Sequence, residues 1–262
     1  MDDPPVTLRT RLCMYISHFL SAWANRMWQF GMGLFLVELE PGSLQLVAIY
    51  GLASGIATLL LSTTIGAWVD KTPRLRAART TLSCQNVFVA VCSVIVFVVY
   101  KYLDEIKAEW EDELLLKLCF VIIIFFGICA DLSSIGTNIV VERDWVVELC
   151  RRDAEMLSSM TSTMRAIDLT TQLVAPLATG QVIYFLSLGY GAVFVAGWNV
   201  VSLFVEYNMI KIVYDQIPSL AAERSQDDEE EAEKADEKTP LMGSDPVEDK
   251  VAYTPGKAVT ID

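Results

Sequence analysis

Polar side chains able to take a cation recur at helical spacing inside otherwise apolar stretches of this chain. His18, Ala22, Asn25 and Gln29 follow at i, i+4, i+7 and i+11, which places them on one face of a helix. That face is polar or small throughout, so it either lines water or hydrogen-bonds to neighbouring helices, the second being the preferred role for His18. Farther along, Asn199 and Glu206 lie seven apart on one stripe, and Glu206 is the only carboxylate in its apolar run. A carboxylate in such a setting needs a cation or a hydrogen-bonded partner. Gln85 and Asn86 add neutral oxygens, and amide plus carboxylate oxygens suit a hard cation such as calcium.

Arg165, Asp168 and Gln172 stand at i, i+3 and i+7, a spacing that lets the arginine and aspartate pair locally while facing other helices. A structural clamp is the simpler role for such a pair, and a gate is the functional one. Two further charge groups, Asp70, Lys71 and Arg74, and then Glu142, Arg143 and Asp144, flank apolar runs on what should be one side of a membrane. Pairs of this kind can latch one conformation of a carrier and open in another. Ordinary anchoring beside the membrane is the alternative.

These residues need a scaffold that crosses a bilayer. Hydrophobic residues make up 53% of the 262 and the mean hydropathy is +0.40, too apolar for a soluble domain of this size. Runs of about 20 apolar residues span a hydrocarbon core, and the sequence predicts helices at roughly 12–38, 44–69, 79–101, 114–140, 160–186 and 189–213. The first has no cleavage site and is taken as a true helix. The organisation expected is an all-α, polytopic membrane protein: a cytoplasmic segment 1–11, a six-helix lobe 12–213, and an acidic, disordered cytoplasmic tail 214–262.

Cations fix the orientation. Arg9 and Arg11, then Lys71, Arg74, Arg76 and Arg79, then Arg143, Arg151 and Arg152 fall in alternate loops, so both termini are expected on the cytoplasmic side. The net charge is −13, and the tail, with its run Asp227-Asp228-Glu229-Glu230-Glu231, cannot bury enough apolar surface to fold alone. Six scattered cysteines without CxxC spacing argue against disulfides or zinc. No nucleotide loop, nucleophile elbow or catalytic triad is present, so no enzyme activity is expected, nor a nucleic-acid partner; the lipid bilayer and a divalent metal ion are.

The stretch Gly66-Ala67-Trp68-Val69-Asp70-Lys71-Thr72-Pro73-Arg74-Leu75-Arg76 resembles the loop motif of the major facilitator superfamily, whose members join two six-helix lobes. Trp23-Ala24-Asn25-Arg26-Met27-Trp28-Gln29-Phe30, Phe35-Leu36-Val37-Glu38-Leu39, Arg143-Asp144-Trp145 and Gly197-Trp198-Asn199 further resemble the amino-terminal lobe of the ferroportin family, solute carrier family 40, from about Tyr15 to Pro218. The resemblance implies a plasma-membrane exporter of iron(II), calcium as an activating ion, and a hepcidin-type regulator that docks on the other lobe. By the same resemblance Asn25, Gln85, Asn199 and Glu206 take calcium-site positions, Asn25 and Gln29 take substrate-metal positions, and Asp70, Arg74, Asp144, Arg165 and Asp168 take gating positions.

Asn25 and Gln29 replace an aspartate and a histidine of the family pattern, and neutral amides hold divalent iron less well than a carboxylate and an imidazole. Asp131 stands where the family carries asparagine, about one helical turn in depth from Asn25, and is expected to restore the lost carboxylate. The chain ends after the acidic segment, so a carboxy-terminal lobe, or a second carrier chain, is the implied partner. Export of another divalent metal, and a truncated protein that binds carriers without transporting, are the alternatives.

Overall fold

The computed structural model describes residues 6–109, 114–150 and 153–217, all within one unit, Met1–Glu223. Among them run six long helices: α1 Leu8–Leu39, α2 Gln45–Lys71, α3 Arg74–Lys101, α5 Leu114–Asn138, α7 Ala154–Phe185 and α8 Leu188–Gln216. A short α4, Leu103–Glu109, lies in the connection after α3. Side-chain caps set several starts. The Thr7 hydroxyl accepts from the Thr10 amide and the Asp153 carboxylate from the Met156 amide, each taking one of the backbone donors a helix leaves unpaired. α1 and α7 therefore begin earlier than their apolar periods suggest. Gly42, at φ 90°, makes the turn from α1 to α2 in a conformation that favours glycine.

The fourth predicted span ends differently from expectation. Instead of stopping near residue 140, α5 continues through a π-helical turn, Ile139–Trp145, into a short α6, Val146–Leu149. Glu142, Arg143 and Asp144 are therefore on a helix rather than in a loop.

Four helical segments are long and apolar enough to cross a membrane: α2, α3, the continuous stretch Leu114–Leu149, and α8. α1 and α7, 32 residues each, fall outside that group because they carry the polar stripes. α2 buries only Leu46 and Val69 and presents Leu52, Leu59 and Leu60 outward, Leu59 at 80% exposure, a surface that suits lipid.

α3 packs on α5 and α8, and α1 packs on α7 and α8. This bundle holds two apolar clusters. One contains Met27, Trp28, Phe35, Val89, Ile123 and Val195; the other contains Met14, Leu82, Val140, Trp145, Met160 and Ile210. Between them in sequence, on each of these helices, stand polar residues that are mostly buried: Ser17 and His18 on α1, Gln85 and Asn86 on α3, Ser134 and Thr137 on α5, Thr171 on α7, and Asn199, Ser202 and Glu206 on α8. The bundle thus carries one polar layer between two apolar blocks.

Candidate metal-binding and gating sites

On one side this layer is sealed. Glu206 is 1% exposed and accepts from the Ser202 hydroxyl one turn earlier. The Asn199 amide donates to Val195 O at 2.8 Å, which leaves its Oδ1 buried without a hydrogen-bond partner. Asn86 repeats the pattern, donating to Leu82 O and leaving Oδ1 unpartnered. Gln85 Oε1 accepts from the Thr137 hydroxyl at 3.4 Å. Unpartnered buried amide oxygens and a buried carboxylate in one layer are groups that a hard cation could satisfy.

On the other side the layer opens into a cavity of about 200 Å³ between α1, α5 with its π turn, and α7. His18, Ala22 and Asn25 line it, as the α1 stripe predicts; Gln29, the fourth member, does not. Gln29 is exposed and accepts from Arg26 Nη1 at 3.1 Å. Ser21, Ser134, Asn138, Glu142 and Asp168 and the two arginines Arg26 and Arg165 complete the wall.

The local Arg165–Asp168 pair is corrected. Asp168 Oδ1 lies 3.0 Å from His18 Nε2 across the α1–α7 contact, with His18 5% and Asp168 20% exposed, while Arg165 is exposed. A carboxylate turned inward finds the imidazole first, and a surface guanidinium keeps its hydration. Glu142 joins this pair: one ligand-capable atom each from His18, Glu142 and Asp168 all fall within 4.8 Å of one another. The sequence did not reveal this cluster, because its members come from three distant segments; a lone imidazole in an apolar helix was the one available signal.

Asp131 is corrected as well. Its Oδ2 accepts from Tyr50 Oη at 2.6 Å and Ser54 Oγ at 2.7 Å, both on α2. Its azimuth differs from the expectation: Asp131 turns to α2 and does not line the cavity.

At the mouth of the bundle Arg74, the first residue of α3, holds two carboxylates. Its Nε is 3.1 Å from Asp144 Oδ1 and its Nη2 is 3.3 Å from Glu148 Oε2. All three side chains are at most 13% exposed. Residues two apart on a helix face nearly opposite ways, so the π turn can send Glu142 into the cavity and Asp144 to α3. Glu148 was not foreseen, since the expected loop hid its helical spacing from Asp144. Asp70, Lys71 and Arg143 are exposed. Arg79 lies 4.3 Å over the Tyr207 ring, a further cation held at this end.

An all-helical bundle with four segments long and apolar enough to cross a membrane, a polar layer open to a cavity on one side and an ion-paired mouth, has the architecture of one lobe of a polytopic membrane protein. The chain belongs to the ferroportin family: residues 9–254 match the family model Ferroportin1 (FPN1). It is 40% identical over 211 residues to ferroportin of Canis lupus familiaris, covering 80% of this chain and 36% of that protein. To ferroportin of Homo sapiens it is 39% identical over 220 residues, covering 84% and 38%. The chain thus spans well under half the length of these relatives. Its fold is similar to a bacterial homologue of the iron transporter ferroportin in the outward-facing state with soaked iron, at TM-score 0.70 and 26% identity, covering 80% of this chain and 50% of that one. Similarity to a bacterial homologue in the inward-facing state is close to this, at TM-score 0.69 and 28% identity, covering 80% and 51%.

Proposed function

We propose that this chain forms the amino-terminal lobe of an exporter of iron(II) and that the cavity between α1, α5 and α7 is its half of the ion path. The observation that carries the reading is that cavity: a polar wall of imidazole, amide and carboxylate groups inside an apolar bundle whose family is ferroportin. Ionisable groups at such depth are costly and mark ion pathways. Near-equal likeness to outward-facing and inward-facing relatives supports a lobe that rocks as a body, as alternating access requires.

In this reading both termini lie in the cytoplasm, the membrane is the plasma membrane, and the Arg74 network closes the cytoplasmic mouth in one state, with Asp70, Lys71 and Arg143 at its rim. Glu206, Asn199 and Gln85 would hold calcium, whose chemistry is to neutralise the buried carboxylate and tie the helices that bear its ligands. Alternating access needs a second lobe, so the partner is a carboxy-terminal lobe or another carrier chain, and a hepcidin-type regulator would act only through it. Asn25, a neutral amide in the cavity, favours one second reading: export of another divalent metal, with manganese, cobalt and nickel as the candidates.

Radiolabelled iron efflux from cells expressing the chain alone, and joined to a carboxy-terminal ferroportin lobe, tests this. Efflux is expected from the joined protein only. No efflux of any divalent metal from either would leave the chain as a membrane interaction protein.

A further inference from the structure

We infer that His18, Glu142 and Asp168 form a binding site for a divalent transition-metal ion, separate from the amide-and-carboxylate site around Glu206. It deepens the transport reading, on which its physiological meaning rests, by naming where this lobe holds the ion; the binding itself stands on geometry.

Three observations carry it. First, three chemically competent donors converge from three segments, α1, the π turn and α7, with their ligand atoms within 4.8 Å of one another. Donors about 2.1 Å from an ion stand about 3 Å apart, so small side-chain rotations close the set. Second, the site opens on a cavity of about 200 Å³, which leaves room for the waters that complete a coordination shell. Third, the π turn is the one break in α-helical geometry along α5, and it is what carries Glu142; such turns recur at functional sites.

The donor set selects the ion. One imidazole nitrogen with two carboxylates suits iron(II), manganese(II) or cobalt(II), whereas calcium takes six to eight oxygens. Asn25 lines the same cavity but is neutral, so these three are its strongest donors. Without an ion the two carboxylates need other company. His18 bonds to Asp168 at 3.0 Å, and Arg165 lines the same cavity. Arg165 is exposed, so water screens it and it can withdraw when a cation arrives. Arg26 is engaged by Gln29. A bound ion would replace the His18–Asp168 contact with a metal bond to each side chain.

The chain contains a single histidine, which makes the test direct. The full chain, labelled with nitrogen-15 histidine and held in detergent micelles, is titrated with manganese(II). Acidic residues elsewhere, including the run Asp227–Glu231, can take manganese weakly, so broadening of the imidazole resonances reports an ion near His18 and the carboxylate variants decide whether Glu142 and Asp168 hold it. Broadening at low manganese is expected, persisting in excess calcium. Glu142→Gln and Asp168→Asn should each raise the half-broadening concentration at least about tenfold. An imidazole signal untouched by manganese overturns the site in the wild-type protein, whether or not the variants fold. Equal broadening in the wild type and in Glu142→Gln and Asp168→Asn also overturns it. Iron efflux separates the two proposals: broadening without efflux leaves the site and removes the exporter reading, and efflux without broadening does the reverse.

Discussion

Glu206 and Glu142 are both carboxylates in the interior region of one helical bundle, and they are treated in opposite ways. Glu206 is 1% exposed and bonds to Ser202 on its own helix, which also carries an Asn199 oxygen with no partner. Glu142 is exposed to a cavity and faces an imidazole and a second carboxylate from two other helices. Burying a carboxylate without a counter-charge costs several kcal/mol, so the sealed pocket favours an ion that stays. Glu142 opens on the cavity and is only partly desolvated, so an ion there would exchange with water more readily than at Glu206. In the transport reading proposed above, the layer would hold a site suited to retention and a site suited to passage, and the difference would lie in which helix face each carboxylate sits on.

Access to water gives the sharpest contrast. In a background with the native cysteines replaced, Asn25→Cys should react with a membrane-impermeant thiol reagent, and Asn199→Cys and Glu206→Cys should not. Reaction at all three sites would show that the layer is wet throughout. Next in size is the latch. Arg74→Ala leaves Asp144 and Glu148, 12% and 7% exposed, without their shared cation, and breaking a pair of this kind costs about 3 kcal/mol. A lowered thermal midpoint of the purified chain reads it, and an unchanged midpoint would show that the network contributes nothing to the resting fold.

Much of this layout is written in local spacing. The α1 stripe predicts that His18, Ala22 and Asn25 share a wall because one helix determines their azimuth. The same holds for Asn199 and Glu206 on α8. What local spacing cannot supply is how one helix is rotated against the next. Asp168 paired with His18 and not with Arg165, and Glu142 reached the cavity only because the helix runs on through a π turn past residue 140. Charge density there suggested a loop, whereas the buried Val140, Val141, Trp145 and Val146 keep the segment helical against the second apolar cluster. The polar character of α1 and α7 weakens their likeness to membrane spans for the reason that makes them informative: they wall the cavity.

The sealed pocket should depend on its charge. Glu206→Gln replaces the one carboxylate with an amide, and calcium affinity measured by isothermal titration should fall about tenfold, or about 1.4 kcal/mol. Equal affinity in the two proteins would remove Glu206 from the calcium site and, with it, the contrast between a pocket that retains an ion and a cavity that passes one.

Asp131→Asn should have the smallest effect, and it tests whether azimuth outranks depth. If Asp131 supplied the charge that Asn25 lacks, removing it would weaken metal binding in the cavity. Its Oδ2 is instead occupied by Tyr50 and Ser54 of α2, and an asparagine oxygen can accept from both. The expected result is manganese broadening of His18 unchanged and stability lowered by about 1 kcal/mol, the ordinary worth of a hydrogen bond that loses its charge assistance. A tenfold loss of broadening with stability intact would mean that α5 turns Asp131 into the cavity in the metal-bound state, and the division between a wall that faces α2 and a wall that faces the ion would have to be redrawn.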